Sequence, residues 1–173
     1  MESSFLHVLN PFISQLDAAL HDFTYVRHKS AFLLTAVLTA SAKAFHPVLY
    51  NKLYQHSQNL LISVFRHGHK SIEVVQAILI LTYWKEPHDN RVWTNVGYAI
   101  RISMELDWHR LRVDATQSPQ IDRTVTERRE SRNLERTWLV LFVYDRRYAV
   151  PSICGLPLTS LQYQPSDRQA LHD

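Results

Sequence analysis

The sequence predicts an all-α fold, and three observations support this prediction. Apolar residues recur three or four positions apart along most of the chain, and no segment sustains the two-residue alternation of a strand. Only three of the 173 residues are glycine, while 46% are hydrophobic and 20% are charged, which excludes a wholly disordered chain. We therefore predict one multi-helix unit over residues 1–173. Residues 151–173 hold short apolar clusters but no complete helix, which predicts that this unit is an incomplete fragment of a larger domain.

Caps and prolines divide the first half of the chain into four predicted helices. The first begins at Pro11, whose fixed φ suits a helix start, with Asn10 as its N-cap. The next three are an apolar helix from 31 to 45, an amphipathic helix from Pro47 to Gly68, and a helix that Ser71 caps and that ends near Trp84. Residues 31–42 and 74–84 contain no charge, so these two helices are expected at the centre of the fold.

A fifth predicted helix follows the short connector 85–89. Asp89 is its expected N-cap, and Arg101 and Glu105 have the spacing of an ion pair along its side. Gly97 is predicted to let a neighbouring backbone approach closely. The expected buried stripe of this helix consists of Trp93, Val96, Gly97, Ile100 and Met104.

The stretch from 112 to 130 interrupts the helical pattern. It is rich in Ser, Thr, Gln, Asp, Glu and Arg, which predicts an exposed loop. A last helix is predicted from about 131 to 149, stopped by Pro151. Its buried side is expected to carry Leu134, Trp138, Leu141, Phe142 and Tyr148.

One carboxylate shares the apolar stripe of this last helix. Asp145 lies four residues after Leu141 and is expected to face inward, where a charged side chain needs a partner. Arg101 or a group of backbone N–H groups is the expected partner. Two interpretations stay open: an internal ion pair that fixes the register of two helices, which we favour, and a ligand anchor or general base.

No catalytic, metal or cofactor site is predicted. His67 and His69 are the closest histidine pair, but they flank a predicted helix end and their rings are expected to diverge. Cys154, the single cysteine, lies beside Gly155 after the last helix with no base nearby in the sequence. Three isolated glycines cannot form a phosphate-binding loop. An enzyme built on Asp145 and a histidine therefore has little support.

The charge pattern argues against direct binding to nucleic acids. Nineteen Lys and Arg against sixteen Asp and Glu give a net charge of +3, and the Arg-rich stretch 123–136 also carries glutamates. The N-terminus lacks the basic start of a signal peptide, and the longest clean apolar run, 31–42, is too short to span a bilayer. We therefore predict no membrane partner.

Three segments, in this order, resemble a known family. They are 71–84 (SIEVVQAILILTYW), 93–110 (WTNVGYAIRISMELDWHR) and 135–147 (ERTWLVLFVYDRR), the last followed by Gly155-Leu-Pro157. Over roughly residues 30–165 the chain resembles the middle homology region of fungal zinc-cluster transcription factors. Within that group, the connector Trp84-Lys-Glu-Pro87 is most similar to that of the activators of leucine biosynthesis and of secreted-protease genes.

The chain departs from the family pattern at two places. The family usually reads Gly-Leu-His-Arg where this chain has Asp107-Trp-His-Arg110, which alters the glycine ending of a helix. It usually reads Gly-Arg-Pro where this chain has Leu156, which removes an arginine that could pair with Asp145. In the family, six cysteines hold two zinc ions in an N-terminal DNA-binding domain, and these 173 residues contain one cysteine.

The resemblance implies a regulatory domain fragment that acts in the nucleus, without catalysis, on transcription by RNA polymerase II. It implies that the domain holds a regulator in check and responds to a small-molecule effector or to other protein chains, a second copy of this chain among them. DNA and zinc would be bound only by the family's N-terminal domain. The alternative is a helical protein-interaction module without a ligand site or DNA binding, which would bind its partners through residues 112–130.

Overall fold

The computed structural model describes the backbone of residues 4–110 and 124–154 and the side chains up to residue 147. Every regular element within those residues is helical, which confirms the all-α prediction. An N-terminal π-helical turn covers Phe5–Leu9, and a 3-10 turn covers Trp108–Arg110. The α-helices are α1 (Asn10–Ile13), α2 (Phe23–Lys29), α3 (Ala31–Phe45), α4 (Pro47–His67), α5 (Ile72–Tyr83), α6 (Val92–Glu105) and α7 (Val125–Cys154).

Helix α5 forms the centre of the fold. All side chains from Val74 to Thr82 are buried, and helices α3, α6 and α7 pack around α5. Ser71 caps the helix as predicted, because its Oγ accepts a hydrogen bond from the backbone N–H of Val74 at 3.3 Å. An uncharged helix can occupy this position because it has packed neighbours on all sides.

Helices α3 and α4 pack against each other and are separated in sequence only by His46. The predicted bounds of α3 are confirmed, and α4 ends as predicted before Gly68, which takes a left-handed φ of 64°. The apolar residues of α4 are less buried than those of α3. Val48 is 90% exposed and Phe65 is 70% exposed, so much of the apolar surface of α4 faces outward in the described chain.

The N-terminal helix differs from the prediction. It begins at Asn10 and is one turn long, and Asn10 is not its N-cap. The buried Asn10 amide instead donates a hydrogen bond to the carbonyl of Leu16 at 2.7 Å and accepts one from the Leu16 N–H at 2.9 Å. Ser14, with a φ of 47°, ends the helix in the left-handed region. The side chain of Asn10 therefore closes the following loop, a role that competes with capping.

Asp89 also has a different role from the predicted one. Helix α6 begins at Val92, and the Asp89 carboxylate accepts hydrogen bonds from the backbone N–H of Arg91 at 3.0 Å and from its guanidinium at 2.7 Å. The same guanidinium donates to Tyr54 Oη and Gln58 Oε1 on α4, each at 2.8 Å. These hydrogen bonds from Arg91 lower the pKa of Asp89 to about 2. The connector before α6 is thereby held against α4.

Lys43 holds the other end of this connector. Its Nζ donates hydrogen bonds to the carbonyls of Trp84 at 2.9 Å and Lys85 at 2.7 Å, just beyond the C-terminus of α5. It also lies 3.1 Å from Glu86 Oε1, which accepts a hydrogen bond from Tyr50 Oη at 2.5 Å. The Tyr50 hydrogen bond, with Lys43 beside it, lowers the pKa of Glu86. A cation at this helix end also complements the dipole of α5.

Helix α7 extends beyond its predicted bounds at both ends. Residues 125–130 were predicted as loop but are helical, and the prediction for 112–123 lies outside the described residues. Thr124 and Glu127 form a capping box, in which each side chain accepts a hydrogen bond from the other's backbone N–H, at 3.2 and 2.8 Å. The helix runs through Pro151 to Cys154, because a proline removes one intrahelical hydrogen bond without always ending a helix.

The buried face of α7 is polar as well as apolar. Gln76 on α5 is fully buried, and its Nε2 donates to Asn133 Oδ1 at 2.8 Å and to Thr137 Oγ1 at 3.0 Å. Phe142, predicted as buried, is 51% exposed. The side chain of Tyr148 lies outside the described residues. The residues of α7 that face the core are Asn133, Thr137, Leu141 and Tyr144, with Leu134 and Trp138 half-buried beside them.

The segment between α1 and α2 contains a buried histidine. His21 is 1% exposed, and its Nδ1 accepts a hydrogen bond from the backbone N–H of Asp17 at 3.0 Å. Burial lowers the pKa of His21, and the nearby Arg136 guanidinium adds to this effect. A hydrogen bond with the Asp17 backbone opposes it in part, as do the Asp17 and Glu73 carboxylates. The folded state therefore favours the neutral imidazole.

We expect the free energy of unfolding to fall as the pH drops below about 6.5, the ordinary pKa of histidine. The unfolded chain takes up a proton on His21 in that range, whereas the folded chain does so only at the lower folded pKa. His21→Asn, whose amide oxygen can replace Nδ1, should remove this part of the pH dependence in urea unfolding at about pH 7.5 and about pH 5.5. His56→Asn, the matched change at an exposed histidine, should leave this part of the pH dependence of unfolding unchanged. If the wild type and His21→Asn lose the same free energy of unfolding between these two pH values, His21 is not a source of the pH dependence.

Candidate functional site

A groove lies between helices α6 and α7, which pack against each other. Its volume is about 220 Å³, and both residues singled out in the sequence line it, Arg101 from α6 and Asp145 from α7. The remaining lining residues are Trp93, Val96, Gly97 and Ile100, all on α6. The structure therefore brings the two predicted positions to one surface feature.

Helix α6 has apolar residues on two faces. The sequence analysis predicted that the face with Trp93 and Met104 is buried, and this face is the outer one. The face packed in the core consists of Val92, Val96, Ala99, Ile102 and Ser103. In the predicted stripe only Val96 is buried, whereas Trp93 is 58% exposed and Met104 is 45% exposed. Periodicity alone cannot identify the core-facing side of a helix that is apolar on both. Trp93 is therefore a residue of the groove rather than of the core.

Gly97 lines the groove and lies in the interior of α6. A Cβ atom built there would meet no heavy atom within 4 Å, so the predicted close approach of a neighbouring backbone is not found among the described residues. The φ of Gly97 lies outside the left-handed region, so the backbone does not require glycine either. Glycine inside a helix nevertheless costs about 1 kcal/mol relative to alanine. Neither local conformation nor packing among the described residues explains this glycine.

We expect Gly97→Ala to raise the free energy of unfolding by about 0.5–1 kcal/mol, because it restricts the unfolded chain and fills only open space. Urea unfolding followed by circular dichroism measures the change. Gly68→Ala is the matched comparison and should destabilise the protein, because Gly68 has a φ of 64°. A loss of stability in Gly97→Ala would show that another part of the protein contacts this position.

The two charged residues of the groove are not joined to each other. Arg101 is exposed and Asp145 is half-buried, and neither forms an ion pair within 4.0 Å in the part of the chain that the structure describes. Glu105, which has the spacing to pair with Arg101, forms an ion pair with Lys70 instead. An ion pair between Arg101 and Asp145 is therefore absent from this structure, and a role of either residue in ligand binding stays a prediction.

The histidine pair and the cysteine named in the sequence analysis are not among the described residues that line the groove. The rings of His67 and His69 are neighbours, with centroids 5.7 Å apart, although their divergence was predicted. No group of three or more His, Cys, Asp or Glu side chains is placed to hold a metal ion in the described segments. Cys154 is the last residue of α7 rather than part of a following loop. Among the described helices, none has the length and apolar character needed to cross a membrane.

The comparison with protein families decides the assignment. A model of the fungal specific transcription factor domain matches residues 3–164. The chain belongs to this family. The match confirms the resemblance seen in segments 71–84, 93–110 and 135–147, and with it the prediction of a regulatory domain from a fungal transcription factor.

Curated relatives of this fungal transcription factor domain are much longer proteins. The chain is 39% identical over 140 residues to Protein priB of Lentinula edodes, covering 80% of this chain and 22% of that protein. It is 34% identical over 131 residues to the putative transcription factor SEF1 of Kluyveromyces lactis, covering 73% of this chain and 11% of that protein. It is 30% identical over 148 residues to the transcriptional regulatory protein SEF1 of Candida albicans, covering 78% of this chain and 15% of that protein. The chain thus spans less than a quarter of these relatives.

No solved structure matches the chain. The finer similarity to the activators of leucine biosynthesis and of secreted-protease genes stays a prediction.

Proposed function

We propose that this domain holds the activity of a longer transcription regulator in check, and that occupation of the α6–α7 groove changes that activity. Family membership supports the regulatory role. The observation that carries the choice of site is the open groove over Gly97, flanked by Arg101 and Asp145. The domain would act in the nucleus without catalysing a reaction, and DNA and zinc would be bound by a separate domain.

The proposed mechanism is a shift between a masked and an unmasked state. An occupant can shift such an equilibrium only by its difference in affinity for the two states, and a tenfold shift needs about 1.4 kcal/mol. The groove suits this task because its lining residues come from two helices. Helices α6 and α7 both pack on α5, so an occupant that contacts both favours one of their relative placements.

The masking role can be tested with a fusion protein in a fungal host. The chain is placed between a heterologous DNA-binding domain and an activation domain, and the output of a reporter gene is measured. We expect several-fold lower output than from a fusion that carries an unrelated helical domain of equal length. Equal output at equal protein levels would contradict the masking role.

Arg101→Ala tests the proposed site within the same fusion. We expect it to change the response of the reporter to growth conditions while DNA binding stays intact, because Arg101 is exposed on the groove and not part of the core. Arg66→Ala, at an exposed position of α4, is the matched control. A response identical to that of the wild type would count against the groove as the site of regulation.

A helical protein-interaction module is the second candidate, and the exposed apolar side chains of α4 favour it. Val48, Ile62 and Phe65 are 90%, 58% and 70% exposed, so they offer apolar area that a partner could cover. We propose a second copy of this chain as the first partner to test. This candidate predicts concentration-dependent dimers that Ile62→Lys dissociates, and no ligand-induced thermal shift. A protein that stays monomeric at all concentrations would contradict it.

A further inference from the structure

Opposite charges line the groove without an ion pair between them. Arg101 lies on α6 and Asp145 on α7, and no described residue forms an ion pair with either within 4.0 Å. A guanidinium presents paired donors that match a carboxylate, and a carboxylate accepts strong hydrogen bonds from an ammonium group. A ligand that carries both a negative and a positive charge would offer each of the two side chains an opposite charge. A ligand with one charge would leave the other side chain facing a like charge or no partner.

The rest of the groove is apolar. Val96 is 3% exposed and forms part of the core, Ile100 is half-buried, and Trp93 keeps 58% of its surface accessible. An indole ring provides a large apolar contact area for a ligand. The volume of about 220 Å³ is below the roughly 300–1,000 Å³ of pockets for drug-sized molecules, so the occupant is small.

Gly97 is a second feature of this groove that favours a ligand. A Cβ atom at this position would meet no heavy atom of the described residues within 4 Å, although glycine inside a helix lowers stability relative to alanine. Gly97 lines the groove together with Trp93 and Arg101, so a side chain at position 97 would reduce the space in the groove. The cost of glycine is explained if this space must stay free for a ligand.

We infer that the α6–α7 groove binds a free α-amino acid with an apolar side chain. Its carboxylate would contact the Arg101 guanidinium, its ammonium group the Asp145 carboxylate, and its side chain the apolar surface of Trp93 and Ile100. This inference rests on the proposed function, for which it names the class of effector.

Binding can be measured on the 173-residue chain by calorimetry and by thermal unfolding. The probes are L-leucine and L-phenylalanine, and the comparison compounds are 4-methylpentanoate, which lacks the ammonium group of leucine, and isopentylamine, which lacks its carboxylate. We expect at least one amino acid to bind and to raise the Tm. We expect each comparison compound to bind about tenfold more weakly than leucine, because one charge contact is lost.

Four variants locate the binding site. Arg101→Ala and Asp145→Asn should each weaken binding about tenfold, because each removes one charge contact. Gly97→Leu should abolish binding because its side chain fills the groove. Thr94→Leu introduces the same side chain on an exposed part of α6 outside the groove and should bind as the wild type does.

The inference is overturned if neither amino acid binds at concentrations up to about 10 mM. It is also overturned if the comparison compounds bind equally well, or if Gly97→Leu binds as tightly as Thr94→Leu. Reporter output from the fusion separates this failure from failure of the proposed function. If the amino acids do not bind but Gly97→Leu still changes reporter output, the ligand class is wrong and the groove remains a regulatory site. If an amino acid binds and reporter output never changes, the proposed function is wrong.

Discussion

Replacing Leu79 by alanine is expected to lower the free energy of unfolding by about 2–5 kcal/mol. Leu79 is fully buried in α5, which packs against α3, α6 and α7. The loss combines the removed apolar contacts with the cavity that the surrounding helices cannot close. Urea unfolding, followed by circular dichroism, measures the shift of the midpoint at constant slope.

Leu139→Ala is the matched control for this prediction. Leu139 is also a helical leucine, but it lies on α7 and is 61% exposed. We expect its replacement to change stability by no more than about 0.5 kcal/mol. Similar losses in Leu79→Ala and Leu139→Ala would contradict the central position of α5.

Replacing Gln76 by leucine is expected to cost about 1–3 kcal/mol. The Gln76 amide is fully buried and donates hydrogen bonds to Asn133 Oδ1 and Thr137 Oγ1, so it joins α5 to α7. Leucine has a similar size but leaves the buried Asn133 oxygen without this donor, and an unpaired buried polar atom costs free energy. Because α7 carries Asp145, this change is also expected to loosen one wall of the groove.

A double-mutant cycle distinguishes loss of the hydrogen bond from loss of packing. We expect Gln76→Leu combined with Asn133→Leu to destabilise the protein less than the sum of the two single changes, because the second change removes the Asn133 oxygen that Gln76→Leu leaves without its donor. Gln55→Leu, on the exposed side of α4, is the control and should be close to neutral. Additive losses in the double variant would show that the Gln76–Asn133 hydrogen bond contributes little.

The sequence predicts most of the helices because their local signals are strong. Ser71 and Gly68 were predicted as caps and act as caps, and the uncharged segments 31–42 and 74–84 are central helices. The start of α7 was missed although the sequence contains its signal. Thr124 and Glu127 have the spacing of a capping box, but the polar composition around them outweighed it in the prediction of a loop.

The hydrogen-bond partners of several side chains could not be predicted from capping patterns. Asn10 and Asp89 both have the chemistry of an N-cap, yet their side chains bond to backbone groups of the nearby residues Leu16 and Arg91 instead. Gln76 is a lone polar residue in an apolar run, and its partners lie 57 and 61 positions later in the chain. Hydrogen bonds of that range become visible only when the helices are packed together.

The candidate site was predicted in part. The sequence named Arg101 and Asp145 and placed them at the meeting of two helices, and the structure places both on one groove. Trp93 and Gly97 were assigned to helix packing because α6 is apolar on two faces, and only the packed structure shows which face is open. An isolated glycine within a helical segment was the one sequence signal that could have indicated the groove.

The most direct measurement compares reporter output from fusions that carry Gly97→Leu or Thr94→Leu. Both changes introduce the same side chain into α6, but only the first fills the groove. We expect Gly97→Leu to change the reporter output several-fold and to remove the difference in output between growth conditions. Thr94→Leu should give the same output as the wild type. If both variants match the wild type at equal protein levels, the groove between α6 and α7 is not the regulatory site.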